Sequence, residues 1–330
     1  MRVLSATRGV TRRWLAGGLV SVTLFFAVPI VADEPDVMLE NMALAASEQS
    51  YQGDFVYERS GSFSTHRVWR RADGVVVERL LRTDGVAQEW LRRDGQLQCS
   101  SALATGNVWR GGAIPSGQRA VLDRWYVLQV LGNSRVANRP VTVIAVKPRD
   151  PFRYAYELYL DLETGLLLQS LLINDNGTLL ERFQFTTLHP GPVELDDLNV
   201  MSTCLPVSEK TVTEMTASDG KLPAWLPPGF AAIYREVRHP NDADTPVFTQ
   251  VFTDGLARFT VFIEPLADGR TVGDLRAQMG PTVAISRGLV LPDGNYMATV
   301  VGEVPALAAE RIAASLSPDF DPNAVIDTAR

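Results

Sequence analysis

Three Asp-Gly pairs, Asp73-Gly74, Asp84-Gly85 and Asp94-Gly95, follow one another at intervals of ten or eleven residues. Stretches rich in Val, Leu, Trp and Arg separate them. Asp-Gly supplies the positive φ angles of a two-residue hairpin turn, so each pair marks a strand reversal. The spacing leaves room for one short strand per turn, and the N-terminal half reads as an antiparallel meander. Such a sheet must bury one face, and what covers that face governs what the chain does.

Strand-like alternation is expected over 55–59, 65–71, 75–81, 88–92 and 96–99. It resumes over 125–131, 142–147, 154–161, 166–174 and 179–186, with tight turns at Glu163-Thr164-Gly165 and Asp175-Asn176-Gly177. Between the two sets, 100–118 reads as a Gly-rich loop, and ahead of them 36–50 reads as an amphipathic helix. So many strands with a single helix suit a strongly curved sheet or incomplete barrel, its concave side filled by helix and loop. The segment 191–222 is rich in Pro, Thr, Ser and acids and reads as a linker. A smaller α+β domain is expected over 223–316, with strands at 233–238, 247–253, 258–264, 282–287 and 296–301. Its turns fall at Asp254-Gly255 and Asp293-Gly294, its helices at 272–279 and 304–316, and 317–330 reads as a loose tail.

The first 32 residues stand apart. Arg2, Arg8, Arg12 and Arg13 precede an uncharged apolar run from Trp14 to Val31, and Ala32 precedes Asp33-Glu34. This is the pattern of a secretory signal, with an uncleaved anchor as the alternative. Without that segment, 27 of the 31 basic residues remain against 38 acidic ones, a net charge of −11. Such a balance disfavours nucleic acid as a partner, because phosphate binding needs a cationic face. Arg67, Arg70, Arg71, Arg79, Arg82, Arg92 and Arg93 nevertheless crowd the hairpin region. They read either as the solvated face and guarded edges of a sheet or as an anion-attracting surface. Cys99 and Cys204 are the two cysteines, and in an exported chain an even count suggests a disulfide. It would close a loop of about 100 residues, contributing about 4–5 kcal/mol on the chain-entropy estimate; two buried thiols are the alternative.

Signatures of catalysis are missing: there is no P-loop, dinucleotide fingerprint, H-E-x-x-H or G-x-S-x-G. His66, His189 and His239 have no metal-ligand spacing, and no cofactor is expected. Ser62, Ser64 and His66 invite a nucleophile–base reading, but no third group is indicated to orient the ring, and His66 reads instead as a half-exposed strand residue. Glu194, Asp196 and Asp197 read as solvated charge. What the chain does offer is apolar alternation: Phe55 and Tyr57; Phe152, Tyr154, Tyr156, Leu158 and Leu160; Phe183 and Phe185. These rows are either ordinary core or the lining of an apolar groove able to hold acyl chains.

Several blocks resemble the MucB/RseB family and lie closest to its MucB branch. They include Tyr51-Gln52-Gly53-Asp54-Phe55-Val56-Tyr57-Glu58-Arg59, Leu179-Leu180-Glu181-Arg182-Phe183-Gln184-Phe185 and Trp225-Leu226-Pro227-Pro228-Gly229-Phe230. Asp254-Gly255-Leu256-Ala257-Arg258-Phe259, Gly280-Pro281-Thr282-Val283 and Val300-Val301-Gly302-Glu303-Val304-Pro305 extend the likeness through the C-terminal part. The resemblance implies a mainly β fold: a LolA/LolB-like half-open β-barrel over 33–190, linked through 191–222 to a small α+β domain over 223–316. It implies a periplasmic, non-enzymatic regulator of an envelope-stress sigma factor. Such a regulator binds the periplasmic domain of a transmembrane anti-sigma factor of the MucA/RseA type and shields it from a site-1 protease of the DegS type. Lipopolysaccharide or another acyl-chain ligand would release it, and a homodimer is compatible with the family. The resemblance also supports the Cys99–Cys204 disulfide. From alternation and position, the lipid-cavity candidates are Phe55, Tyr57, Tyr154, Tyr156, Leu158, Phe183 and Phe185. The anti-sigma-binding candidates are Arg258, Phe259 and Glu264. A periplasmic lipid or lipoprotein carrier shares the first domain but gives the second no task, and a hydrolase built on His66 is the third reading.

Overall fold

The computed structural model describes residues 34–101, 119–207, 223–238, 247–266, 273–291 and 294–316. The expected signal, the tail, His239 and most of the 100–118 loop lie outside them. The fold is mainly β, as expected. Eleven antiparallel strands form the first sheet: β1 (Tyr51–Arg59), β2 (Ser62–Asp73), β3 (Val75–Arg82), β4 (Glu89–Arg93), β5 (Gln96–Ser100), β6 (Tyr126–Val136), β7 (Arg139–Pro148), β8 (Ala155–Asp161), β9 (Leu167–Ile173), β10 (Leu179–Pro190) and β11 (Leu205–Pro206). Their order is β11-β5-β4-β3-β2-β1-β10-β9-β8-β7-β6. β11 and β6 each have one neighbour, so the sheet remains open.

Turn chemistry sets this topology. Asp94 and Gly95 both take positive φ, 47° and 78°, and join β4 to β5 as the sequence predicts. Two further reversals use the same geometry: Ser60-Gly61 between β1 and β2, and Ala137-Asn138 between β6 and β7. Helix α1 (Pro35–Glu48) starts on a proline and buries Leu39, Met42, Ala43 and Ala45 against the sheet. The Arg70 guanidinium donates to the Ala46 carbonyl, satisfying one of the acceptors exposed at the helix end. A short helix not anticipated from the sequence, α2 (Arg119–Trp125), leads into β6.

The second sheet has six strands: β12 (Ala231–Arg238), β13 (Val247–Thr253), β14 (Arg258–Pro265), β15 (Leu275–Met279), β16 (Thr282–Leu291) and β17 (Gly294–Gly302), in the order β12-β13-β14-β17-β16-β15. Helix α3 (Ala306–Ala314) buries Ala308, Ala309, Ile312 and Ala313 among Phe259, Val261, Val283, Ile285 and Val300. The helix expected over 272–279 is corrected: Leu275–Met279 is the edge strand β15, paired with β16 from Leu275↔Ser286 to Met279↔Thr282. A helix-compatible run there is outweighed by pairing across the tight turn at Gly280.

Both sheets belong to one compact unit that begins at Glu34. Three consecutive residues ahead of β8 join them. Phe152 packs edge-on against Trp225, with ring centroids 5.0 Å apart. Arg153 donates through Nε to Asp254 Oδ2 at 2.6 Å, and both side chains have 0% exposure. Its remaining nitrogens reach Asp150 and the Pro228 carbonyl, and the rings of Trp125, Tyr126 and Phe230 surround it. Tyr154 Oη donates to the Val304 carbonyl at 3.1 Å. Asp254 also accepts from Tyr126 Oη at 2.9 Å and from the backbone N–H groups of Leu256 and Ala257 at 2.9 and 2.8 Å. Gly229, at φ +89°, leaves the space that the Trp125 indole occupies; a Cβ there would overlap it.

The segment after β10 is held against the first sheet. Its Met201 N–H donates to the fully buried Glu89 carboxylate at 2.7 Å, which also accepts from Arg79 Nε at 2.6 Å. Cys204 is bonded to Cys99 of β5, and β11 adds itself beside that strand.

Replacing Cys99 and Cys204 by serine opens a link between residues 105 apart and lowers stability by about 4–5 kcal/mol; the guanidinium midpoint of the double variant against the oxidised protein measures it. Asp254→Ala leaves the Arg153 charge buried without its partner and costs about 3–5 kcal/mol. Arg276→Ala, which breaks the exposed pair with Glu310, costs less than about 1 kcal/mol in the same assay.

Candidate functional site

The concave face of the first sheet carries the apolar rows. β1 and β10 pair so that Phe55 stands opposite Phe185 and Tyr57 opposite Phe183. The rings of Phe55, Phe183 and Phe185 touch, with centroids 4.9 Å apart for Phe55–Phe183 and 5.2 Å for Phe183–Phe185. They form one nucleus with Tyr51, Val68, Leu80 and Trp90, and Tyr57 packs at its margin. Leu158, with Tyr156 against it, belongs to a second cluster containing Leu39, Met42, Leu122 and Tyr126. Residues of α1 enter both clusters, so the helix lies across the concavity.

Of the seven lipid-cavity candidates, the structure therefore unites Phe55, Phe183 and Phe185 with Tyr57 and places Tyr156 and Leu158 in the neighbouring cluster. Tyr154 turns to the second sheet, where its hydroxyl meets Val304; burial pushes that hydroxyl up to about 12. Strand alternation grouped Tyr154 with Tyr156 and Leu158, but Tyr154 lies one residue ahead of β8 and its hydroxyl bonds at the junction.

His66 is corrected from half-exposed to buried, at 7% exposure. Its ring stacks on Phe55 at 5.1 Å, and Nε2 lies 2.9 Å from Ser64 Oγ. Burial, reinforced by the Arg82 charge, lowers its pKa to about 4, so the ring is neutral at physiological pH. Nδ1 has no hydrogen-bond partner among the described residues. The ring thus lacks the orienting group that a catalytic base needs and serves as part of the aromatic nucleus.

The arginine cluster is not a free cationic surface. Six of its seven members are matched: Arg67 with Asp54, Arg70 and Arg92 with Glu78, Arg71 with Asp73, Arg79 with Glu89 and Arg82 with Asp84. Arg70, Arg79 and Arg92 have side chains only 13–15% exposed, so they are not a solvated fringe either. Glu194 and Asp196 stay exposed.

Among the anti-sigma-binding candidates, Arg258 and Glu264 are exposed near the two ends of β14. Phe259 has 0% exposure and stacks on Phe252 at 4.9 Å, so its side chain supports the strand and presents no surface. A second polar group was hidden from sequence reasoning. Tyr57 Oη donates to Glu181 Oε2 at 2.7 Å, and Arg59 reaches from β1 to Glu303 just beyond β17 at 2.8 Å. Its signal lies in the register, which sets Arg59 opposite Glu181 on β10.

The chain matches the family model of the MucB/RseB N-terminal domain over residues 34–216 and that of the MucB/RseB C-terminal domain over 216–317. It is 47% identical to the sigma factor AlgU regulatory protein MucB of Pseudomonas aeruginosa, over 89% of this chain and 94% of that protein. Against the sigma-E factor regulatory protein RseB of Escherichia coli K12 it is 26% identical, over 92% of this chain and 97% of the relative. In structure it resembles MucB in the Pseudomonas aeruginosa MucA/MucB complex, with a TM-score of 0.74 at 46% identity, covering 86% of this chain and 98% of that one. A crystal structure of MucB gives a TM-score of 0.66 at 41% identity, covering 88% and 99% of the two chains. With both halves matched in order and nearly half of all aligned residues shared with one relative, the chain belongs to the MucB/RseB family.

Proposed function

We propose that this protein is a periplasmic regulator that holds the periplasmic region of a transmembrane anti-sigma factor of the MucA/RseA type. Covering that region shields it from site-1 proteolysis and keeps the envelope-stress sigma factor repressed. The carrying observation is the likeness to MucB in complex with the MucA periplasmic region, at 46% identity over 86% of this chain. The Cys99–Cys204 bond fits an oxidising compartment such as the periplasm. Arg258 and Glu264 are the candidate contacts on the second sheet.

Release is the finer step. Lipopolysaccharide, or another acyl-chain ligand, enters the concavity beside Phe55, Tyr57, Phe183 and Phe185. Because Ala45 of α1 packs in the same cluster as these rings, the acyl chain displaces the helix there and gains the apolar surface that it gives up. Lipid and anti-sigma factor then favour different states of one molecule, and each weakens the other by the same factor.

Titrating the mature protein with the anti-sigma periplasmic region, followed by anisotropy with and without lipopolysaccharide, tests both steps. Specific binding is expected, weakened by about 5- to 150-fold when lipid is present. No binding contradicts the shield, and undiminished binding contradicts release by lipid.

A further inference from the structure

Arg59 stands between two carboxylates that belong to different sheets. Its guanidinium donates to Glu303 Oε1 at 2.8 Å and to the Thr282 hydroxyl, while its Nε lies 3.8 Å from Glu181 Oε2. The Arg59, Glu181 and Glu303 side chains are only 15%, 17% and 34% exposed. Backbone approach makes the contact close. Gly280, at φ +58°, sits so near β1 that a Cβ there would lie 2.5 Å from Ser60 Oγ and 3.4 Å from the Leu180 carbonyl. The junction thus holds two polar groups: the buried Arg153–Asp254 pair, and this more accessible cluster of two carboxylates around one cation.

With both carboxylates ionised, the cluster keeps one uncompensated negative charge in a site largely withdrawn from water. A single proton removes it. The other groups facing Glu181 do not compete for that proton. Tyr57 on β1 and Tyr156 on β8 are phenols held neutral by burial and by the nearby carboxylates, Tyr154 ahead of β8 likewise, and Arg59 remains charged. From the second sheet, Glu303 faces it.

We propose that Glu181, set against Glu303 across the junction, is a one-proton site, so that closing this contact takes up a proton and raising the pH loosens it, while the Arg153–Asp254 pair holds the sheets together. The behaviour of Glu181 agrees. Burial first, and the Glu303 charge second, push its carboxyl up to about 7, against the opposing pull of Tyr57 and Arg59. When the sheets part here, Glu303 leaves, water returns, and the carboxyl falls back toward its ordinary value of 4.5. The closed form therefore binds the proton more tightly. Its advantage is full below the ordinary value and is lost as the pH rises through about 7. For one proton with these two affinities, the closed-to-open ratio falls about tenfold between about pH 6 and pH 8.

Single-molecule energy transfer on the full mature chain reads that ratio. Dyes placed through non-canonical amino acids at Val86 and Val290, 81% and 77% exposed, leave the disulfide and the junction untouched. The unsubstituted protein is expected to lose closed population by about tenfold in the ratio across that range. Glu181→Gln is expected to abolish the dependence, and Glu303→Gln, which removes the second cause but leaves the burial, to reduce it. A ratio that does not change with pH in the unsubstituted protein overturns the proposal. So does an undiminished dependence in either variant, because the proton would then reside elsewhere or be held within one sheet alone.

Discussion

A guanidinium and a carboxylate, neither reached by water, meet where the two sheets of this protein join. Removing Arg153 and Asp254 from water is costly, and their mutual attraction offsets that cost only because every polar atom has somewhere to go. Asp254 receives a phenol, two backbone N–H groups and the arginine. Arg153 spends its other nitrogens on Asp150 and the Pro228 carbonyl, inside a cage of aromatic rings. A pair so completely satisfied tolerates one geometry. The neighbouring residues Phe152 and Tyr154 reach the second sheet from the same short stretch, so three successive side chains fix its position.

That constraint gives the rest of the molecule its logic. The large sheet is open and curves over α1, whose buried residues complete two apolar clusters. The second sheet is held to it at the Arg153–Asp254 pair and again where Arg59 meets Glu303. The proposed release by lipid needs this frame to stay joined while the filling of the large sheet changes.

Local chemistry made much of the fold readable in the sequence. Asp94-Gly95 turned where Asp-Gly demands it, and the alternation of β1, β8 and β10 picked out residues that pack in the two apolar clusters, Tyr154 excepted. Ser60-Gly61 and Ala137-Asn138 make equally tight reversals, but such pairs carry a weaker signal than Asp-Gly. Leu275–Met279 became an edge strand because its partner β16 lies one turn away, a pairing that helix-like spacing does not reveal. The site was less legible because its important atoms are joined over long sequence distances. Asp254 reads as an ordinary turn residue until Arg153 is brought to it from 101 positions away. The arginines of the hairpin region look cationic until folding pairs six of them with carboxylates: the register sets Arg67 opposite Asp54 and both Arg70 and Arg92 opposite Glu78, while Arg71, Arg79 and Arg82 find Asp73, Glu89 and Asp84 nearby.

The central claim is that the buried junction makes the two sheets one cooperative body. Differential scanning calorimetry of the mature, oxidised protein tests it most directly. A single transition, with calorimetric and van't Hoff enthalpies equal, is the expected result. Two resolved transitions, the smaller one scaling with the six-stranded sheet, would show that the sheets melt independently and that the junction does not unite them.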